Sequence, residues 1–293
     1  MLQGRMRLPW MLGLLPLSLL APGCAQEGAR PPGTQQGQLV VPFVRTHERL
    51  VHQMLDLAAV TGSDVLYDLG CGDGRIVITA AAERGTRGVG VDIDPKRIEE
   101  SRENARKAGV TDRVRFFEQD LFETDVREAT VVMLYLLPEV NLKLRPVLLR
   151  DLQPGARVVS HEFDMREWKP DRTLEIGGST MHLWLIPARV DGAWALRTGS
   201  AGALDPGVLT LRQEFQEVSG SVRVGEMEVP LEEVALRGAA LTFLIRHEGG
   251  GLRFHGRMEG DTLRGTATPD GADGEERAWT ATRQAAGEGA QRR

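Results

Sequence analysis

One stretch constrains this chain more than any other: Asp68-Leu69-Gly70-Cys71-Gly72-Asp73-Gly74-Arg75. It ends a short apolar run, 65–69, and precedes an Ala- and Ile-rich run, 76–83. The first run suits a buried strand and the second a helix. A sharp strand-to-helix turn opens a βαβ unit, and parallel sheets bind ligands at such turns. Glycines let the backbone turn tightly and approach a ligand closely. The helix N-terminus adds N–H groups and the positive end of a dipole, which suit a carboxylate or phosphate. A dinucleotide loop of the GxGxxG kind would need glycine at position 75, where Arg75 stands.

The alternation of strand and helix continues along the chain. Val44, Leu50, Val51, Met54, Leu55 and Leu57 recur near helical spacing and predict a helix over 44–59. Strands are expected over 88–92, 114–117, 130–136 and 156–160, and helices over 95–108 and 140–152. Pro95 marks the start of one helix and Gly109 its end. Segments 173–176 and 181–186 read as a closing hairpin. The fold class is therefore α/β, with a doubly wound, mostly parallel seven-stranded sheet.

After Pro187 the pattern changes to short alternating apolar and polar runs separated by glycines. A small all-β domain over 188–284 follows, a meander of about eight strands. Gly192-Ala193-Trp194 near its start and Arg283 at the end of its last strand resemble a pairing in lipocalin-like barrels. There the Arg packs over the Trp and closes the barrel base. Two arrangements stand open: a closed or nearly closed barrel with Trp194 against Arg283, or an open meander with Trp194 on the first domain. A barrel could hold a lipid or an apolar partner segment.

The remaining organisation comes from composition. Arg5 and Arg7, the apolar run 8–20 and Cys24 have the grammar of a secretory or lipoprotein signal over 1–24. The Gly-, Pro- and Gln-rich stretch 25–39 reads as a flexible linker, and 285–293 as a disordered tail. Export or membrane anchoring through the N-terminus is the expectation, with a cytoplasmic enzyme as the alternative if that segment is no working signal. The net charge is −5 with mixed signs, so no nucleic-acid partner is expected. Two cysteines at unrelated positions give no metal-ligand spacing, and no metal site is expected.

Two carboxylates lie at ligand-binding distances from the loop. Asp92 closes the second strand, about 20 residues beyond the glycines, where an acidic side chain accepts from ribose hydroxyls. Asp94, before Pro95, is the better helix cap, which leaves Asp92 free. Asp120 follows the third strand, where it could accept from an adenine amino group. Cys71 and Asp73 are expected to contribute backbone only, and Trp168 and Trp184 to pack in the core.

Residues 40–187 resemble the class I S-adenosylmethionine (SAM)-dependent methyltransferases. The resemblance is carried by Val41-Pro42-Phe43-Val44, Asp68 to Val77, Gly88 to Pro95, Asp120-Leu121-Phe122, Tyr135-Leu136-Leu137-Pro138, Leu144-Arg145-Pro146 and Gly155 to His161. More narrowly they resemble the protein-lysine methyltransferases of mitochondrial inner-membrane proteins and their bacterial relatives. Arg45 and His47 depart from that pattern, which often has prolines there, and no Asn-Pro-Pro-Tyr signature follows the fourth strand.

The resemblance implies SAM held by Asp68, Gly70, Gly72, Gly74, Asp92, Ile93, Asp120 and Leu121. It places Tyr135, Glu139 and His161 at the catalytic rim, with Tyr135 as the aromatic face and Glu139 or His161 as base. The acceptor it implies is a protein lysine. A small-molecule N- or O-methyltransferase, or an exported binding protein without turnover, is the alternative.

Overall fold

The structure is a computed structural model and describes residues 44–199, 206–247, 250–271 and 275–284. The readings of 1–24, 25–39 and 285–293 lie outside these residues.

The first sheet contains β1 (Val65–Leu69), β2 (Arg87–Asp92), β3 (Val114–Glu118), β4 (Val131–Leu134), β5 (Arg157–His161), β6 (Arg172–Ile176) and β7 (Ser179–Leu185). The helices are α1 (Glu48–Leu57), α2 (Arg75–Arg84), α3 (Pro95–Ala108) and α4 (Pro138–Asp151). The seven strands run in the order β3-β2-β1-β4-β5-β7-β6, all parallel except β7, which is antiparallel to both of its neighbours, β5 and β6. Chain order reverses between β1 and β4, so the crevice at their C-terminal ends is the ligand-binding position of such a sheet. One face packs on α1, α2 and α3 through Met54, Leu55, Val77 and Ile98; the other packs on α4 through Leu144 and Leu148.

Two elements depart from the sequence expectation. Helix α1 begins at Glu48, later than expected, because residues 44–47 are drawn to the glycine loop. His47 caps it instead, its Nδ1 accepting from Arg49 N–H at 3.2 Å. Strand β4 stops at Leu134, which pairs with Leu69 and Ser160, so Tyr135 and Leu136 stand beyond the sheet on its rim.

The second sheet comprises β8 (Gly192–Thr198), β9 (Gly207–Glu214), β10 (Glu217–Val224), β11 (Met227–Pro230), β12 (Glu232–Arg237), β13 (Ala240–His247), β14 (Gly250–Glu259), β15 (Thr262–Pro269) and β16 (Arg277–Arg283). That is nine strands where the sequence suggested about eight, because the short β11 and β12 are separated only by Leu231. The order is β11-β10-β9-β8-β16-β15-β14-β13-β12, so the first and last strands in sequence pair with each other. The result is a nearly closed antiparallel barrel. Trp194 lies opposite Arg283 in register, with the Arg283 guanidinium 4.2 Å from the indole centroid.

The barrel interior is filled by its own side chains. Phe243 and Phe254 stack at 4.7 Å, and Trp279 meets both edge-on. Gly256 and Gly265 share a cross-strand row with Trp279, and a methyl group at Gly256 would overlap its ring. Phe243, Phe254 and Trp279 are each at most 2% exposed. Aromatic side chains pack the interior that a barrel could have offered to a lipid or an apolar partner segment.

Arg283 also donates to the carbonyls of Asp191 and Arg189, at 2.5 Å each. Arg283→Ala should destabilise the barrel by ~1–3 kcal/mol, combining a lost cation–π contact with lost charge-assisted hydrogen bonds. Urea melts followed by Trp fluorescence would read this; an unchanged midpoint would assign closure to the strand pairing alone.

The two domains pack directly. Ala188 N–H donates to Gly238 O at 2.8 Å, and Gly238, at φ 59, lies so close to Gly155 that a Cβ there would stand 2.9 Å from Gly155 Cα. The β9–β10 turn reaches the loop after β5, where Phe215 stacks on Trp168.

Candidate active site

The glycine loop connects β1 to α2. Gly70, Gly72 and Gly74 have φ of 88, 53 and 78°, a region closed to most side chains. A Cβ on Gly74 would also meet Phe116 and Ser101 at 2.8 Å, and one on Gly70 would meet Leu136 at 2.8 Å. The loop is anchored to β2: Gly70 and Cys71 N–H both donate to Val91 O at 2.9 Å. Asp92 Oδ2 accepts from Gly72 N–H at 2.9 Å and Oδ1 from Asp94 N–H at 3.0 Å. Asp94 in turn caps α3 through Lys96 N–H at 2.9 Å. Asp92 thus reaches the loop across the crevice where a ribose would lie, while Asp94 takes the cap.

Asp68 ends its run at the middle of the sheet, opposite Gly90 and Met133. It is 3% exposed, and burial, with the charges of Asp92 and Asp73 adding, pushes its carboxyl up to about 8. Burial also raises the Cys71 thiol, so that side chain is an inert packing group rather than a nucleophile.

Asp73 corrects the expectation that it serves by backbone alone. Its Oδ1 accepts from Arg75 Nε at 2.9 Å and its Oδ2 pairs with Arg75 Nη2 at 2.5 Å and Arg45 Nε at 3.5 Å. Arg75 Nη1 donates to Thr46 O at 2.8 Å. This knot ties segment 44–47 over the loop, and Arg75 holds its carboxyl below the usual range despite burial. The opposite charges at positions 73 and 75 were the available signal.

Ile93 is 45% exposed beside Asp92, and Leu121 is half-buried at the start of a 3-10 turn, Leu121–Glu123. Asp120 caps that turn, with Oδ1 accepting from Phe122 N–H at 2.9 Å, so one of its oxygens already has a structural task. A glycine cradle, a carboxylate bonded to the loop's backbone and an exposed aliphatic side chain beside it suit the charge and shape of SAM.

At the ends of β4 and β5 the structure brings Tyr135 and His161 together, ring centroids 4.1 Å apart. His161 is 3% exposed, and neither ring nitrogen has a hydrogen-bond partner. The Glu162 carboxylate lies 3.3 Å from Nε2, outside hydrogen-bonding alignment. Burial lowers the His161 pKa against the opposing pull of Glu162, so the imidazole is neutral at pH 7. Burial and the Glu162 charge raise the Tyr135 hydroxyl. Glu139 stands exposed on the first turn of α4 and forms no hydrogen bond or ion pair with this pair. The carboxylate in contact is Glu162, which the sequence reading missed; it has φ 68, an unusual backbone for a non-glycine residue.

Comparison with known proteins agrees with this geometry. A family model described as the ANTKMT methyltransferase domain matches residues 68–172. A protein-lysine N-methyltransferase of Saccharolobus islandicus is 47% identical over 143 residues, covering 48% of this chain and 89% of that protein. The adenine nucleotide translocase lysine N-methyltransferase of Mus musculus is 34% identical over 53% of this chain, and the match covers 66% of that protein. The RNA methyltransferase from Salinibacter ruber, in its crystal structure with S-adenosyl-L-homocysteine (SAH), is 56% identical to this chain. Its TM-score is 0.50, and the match covers 50% of this chain and 96% of that one. With the loop, the Asp92 anchor and the sheet order in place, the chain belongs to the class I SAM-dependent methyltransferases, in the family of the Saccharolobus protein.

Proposed function

We propose that this enzyme methylates the side-chain amine of a protein lysine. The observation that carries the reading is the rim cluster: an aromatic face, a neutral buried imidazole and a carboxylate within one amine's reach. Tyr135 and Glu162 suit the arriving ammonium, through the ring quadrupole and by charge. Lysine has an ordinary pKa near 10.4 and must shed a proton before it can attack. Desolvation among these groups lowers that cost, and the neutral His161 ring, whose nitrogens have no hydrogen-bond partner, supports its taking the proton. When bound, SAM supplies a methyl already activated by its sulfonium, so the chain's task is alignment and proton removal.

The lysine substrates named for the Saccharolobus and mouse relatives support the same reading. The rim also carries Glu139, Glu162 and Asp164, a charge that repels a phosphate backbone and weighs against an RNA acceptor.

The test is label transfer. Full-length enzyme with methyl-labelled SAM and a mixture of cell protein and RNA should put label on lysine side chains, located by mass spectrometry. Label released by ribonuclease would refute the reading. His161→Gln should lower kcat about a hundredfold or more while SAH affinity holds. The wild-type rate should rise with pH through an acid limb below 6.5 that the variant lacks, since only neutral His161 accepts the proton.

A further inference from the structure

The family match ends at residue 172, before the barrel begins, yet the barrel touches Trp168, in the segment that leads away from the rim. The contact is the two-residue turn between β9 and β10, Phe215-Gln216. Phe215 has φ 54 at the first central position of a hairpin turn, where glycine is usual. A bulky side chain in the left-handed region costs local stability, so the reason for Phe here lies in what the ring touches.

That ring stacks on Trp168 with centroids 6.2 Å apart at 20°, and the Arg145 guanidinium lies 5.4 Å over it. Next to it, Gln216 Nε2 donates to Lys169 O at 2.6 Å. Gln213 fixes the hairpin to the domain junction, donating to Ala188 O at 2.9 Å and accepting from Val190 N–H at 2.7 Å.

The segment under the hairpin, 162–169, is the one that leaves the rim. It contains two non-glycine residues with positive φ, Glu162 at 68 and Arg166 at 59°. It has few backbone bonds of its own and is held largely by side chains from outside. Asn141 Nδ2 donates to Phe163 O at 3.2 Å, Arg145 Nη1 to Met165 O at 2.8 Å, and Trp184 Nε1 to Trp168 O at 2.8 Å. Gln216 and Phe215 are the barrel's contributions to this set, and Phe215 presses on both Trp168 and Arg145.

We propose that the β9–β10 hairpin is a positioning element of the acceptor site. By bracing Trp168, Arg145 and Lys169 it holds segment 162–169, and with it the Glu162 carboxylate beside Tyr135 and His161. The second domain then sets how well an acceptor amine is received, without touching SAM. The kinetic part of this proposal rests on the lysine-acceptor reading; the structural part does not.

Phe215→Gly separates the two roles of the residue, because glycine suits the turn and keeps the hairpin while the brace is lost. In the full-length enzyme, hydrogen exchange of amides 162–169 should quicken about tenfold, with β-domain amides unchanged. SAH affinity by calorimetry should stay within about twofold. With a histone mixture as lysine-bearing acceptor, KM should rise about fivefold or more while kcat changes less than about twofold, and Phe215→Tyr should restore KM. Unchanged exchange at 162–169 overturns the proposal. So does a parallel loss of SAH affinity and of protection across the first domain, which would mark Phe215 as general packing. A wild-type enzyme that methylates no histone lysine sinks the lysine-acceptor reading, while the exchange arm still decides the brace.

Discussion

Replacing Asp92 by Ala is expected to weaken binding of SAM and SAH about ten- to hundredfold, equivalent to ~1.5–3 kcal/mol. Two losses combine. In a SAM complex the carboxylate would accept from the ribose hydroxyls, and charge-assisted bonds of this kind are among the stronger ones. It also anchors the loop, since Oδ2 accepts from Gly72 N–H and Oδ1 from Asp94 N–H. Without it, the glycines lose one of the contacts that select their left-handed conformation. Asp92→Asn keeps an acceptor oxygen and should lose less. Calorimetry with SAH on full-length protein distinguishes the cases, and wild-type affinity in the Ala variant would remove Asp92 from the cofactor site.

The first domain was legible because its signals are local. Strand-length apolar runs, Pro95, Gly109 and the alternate glycines each specify one element, and a parallel sheet leaves few ways to connect them. Trp194 and Arg283 were legible as a pair because barrel closure requires first and last strands to meet. What escaped was set by contacts distant in sequence. The start of α1 moved because Arg75 captures Thr46 O, a contact across 29 positions. Asp73 looked like an ordinary turn acid, and only the fold-back of Arg75 and Arg45 makes it a tether. Glu162 could not be preferred over Glu139 from sequence, because its position depends on a positive φ maintained by packing. The Phe215 turn ran against turn chemistry altogether, since Phe-Gln is not a pair that hairpins select.

Binding of SAM should release a proton between pH 6.5 and 8, because Asp68 titrates near 8 in the ligand-free protein. At neutral pH the buried carboxyl holds its proton. SAM brings a fixed sulfonium and an ammonium, and a cation close by favours the ionised carboxylate. Affinity should therefore climb with pH by up to about tenfold per unit, levelling above pH 8. Calorimetry in buffers of different ionisation enthalpy counts the protons, and Asp68→Asn should abolish the count.

Stability without ligand should move the other way. The folded pKa of about 8 exceeds the ordinary carboxyl value of 3.8, so the folded state binds more protons than the unfolded one in between. The stability this group contributes is complete below 3.8 and is lost as pH rises through 8. Asp64 and Asp73 shift downward, and their contribution changes only below their ordinary 3.8, outside this window. Buried neutral His161 favours stability as pH rises, but that gain is complete near its ordinary value of 6.5. Exposed His52 shifts upward and adds a loss of the same sign as Asp68, so the Asp68→Asn comparison is the control that isolates the carboxyl. The ligand-free Tm of wild type should therefore fall from pH 6.5 to 8 relative to Asp68→Asn, and saturating SAM should reverse the difference. A wild type that binds SAM without releasing a proton, with a Tm that tracks the variant across this range, would mean that Asp68 is ionised before SAM arrives and takes no part in recognising its charge.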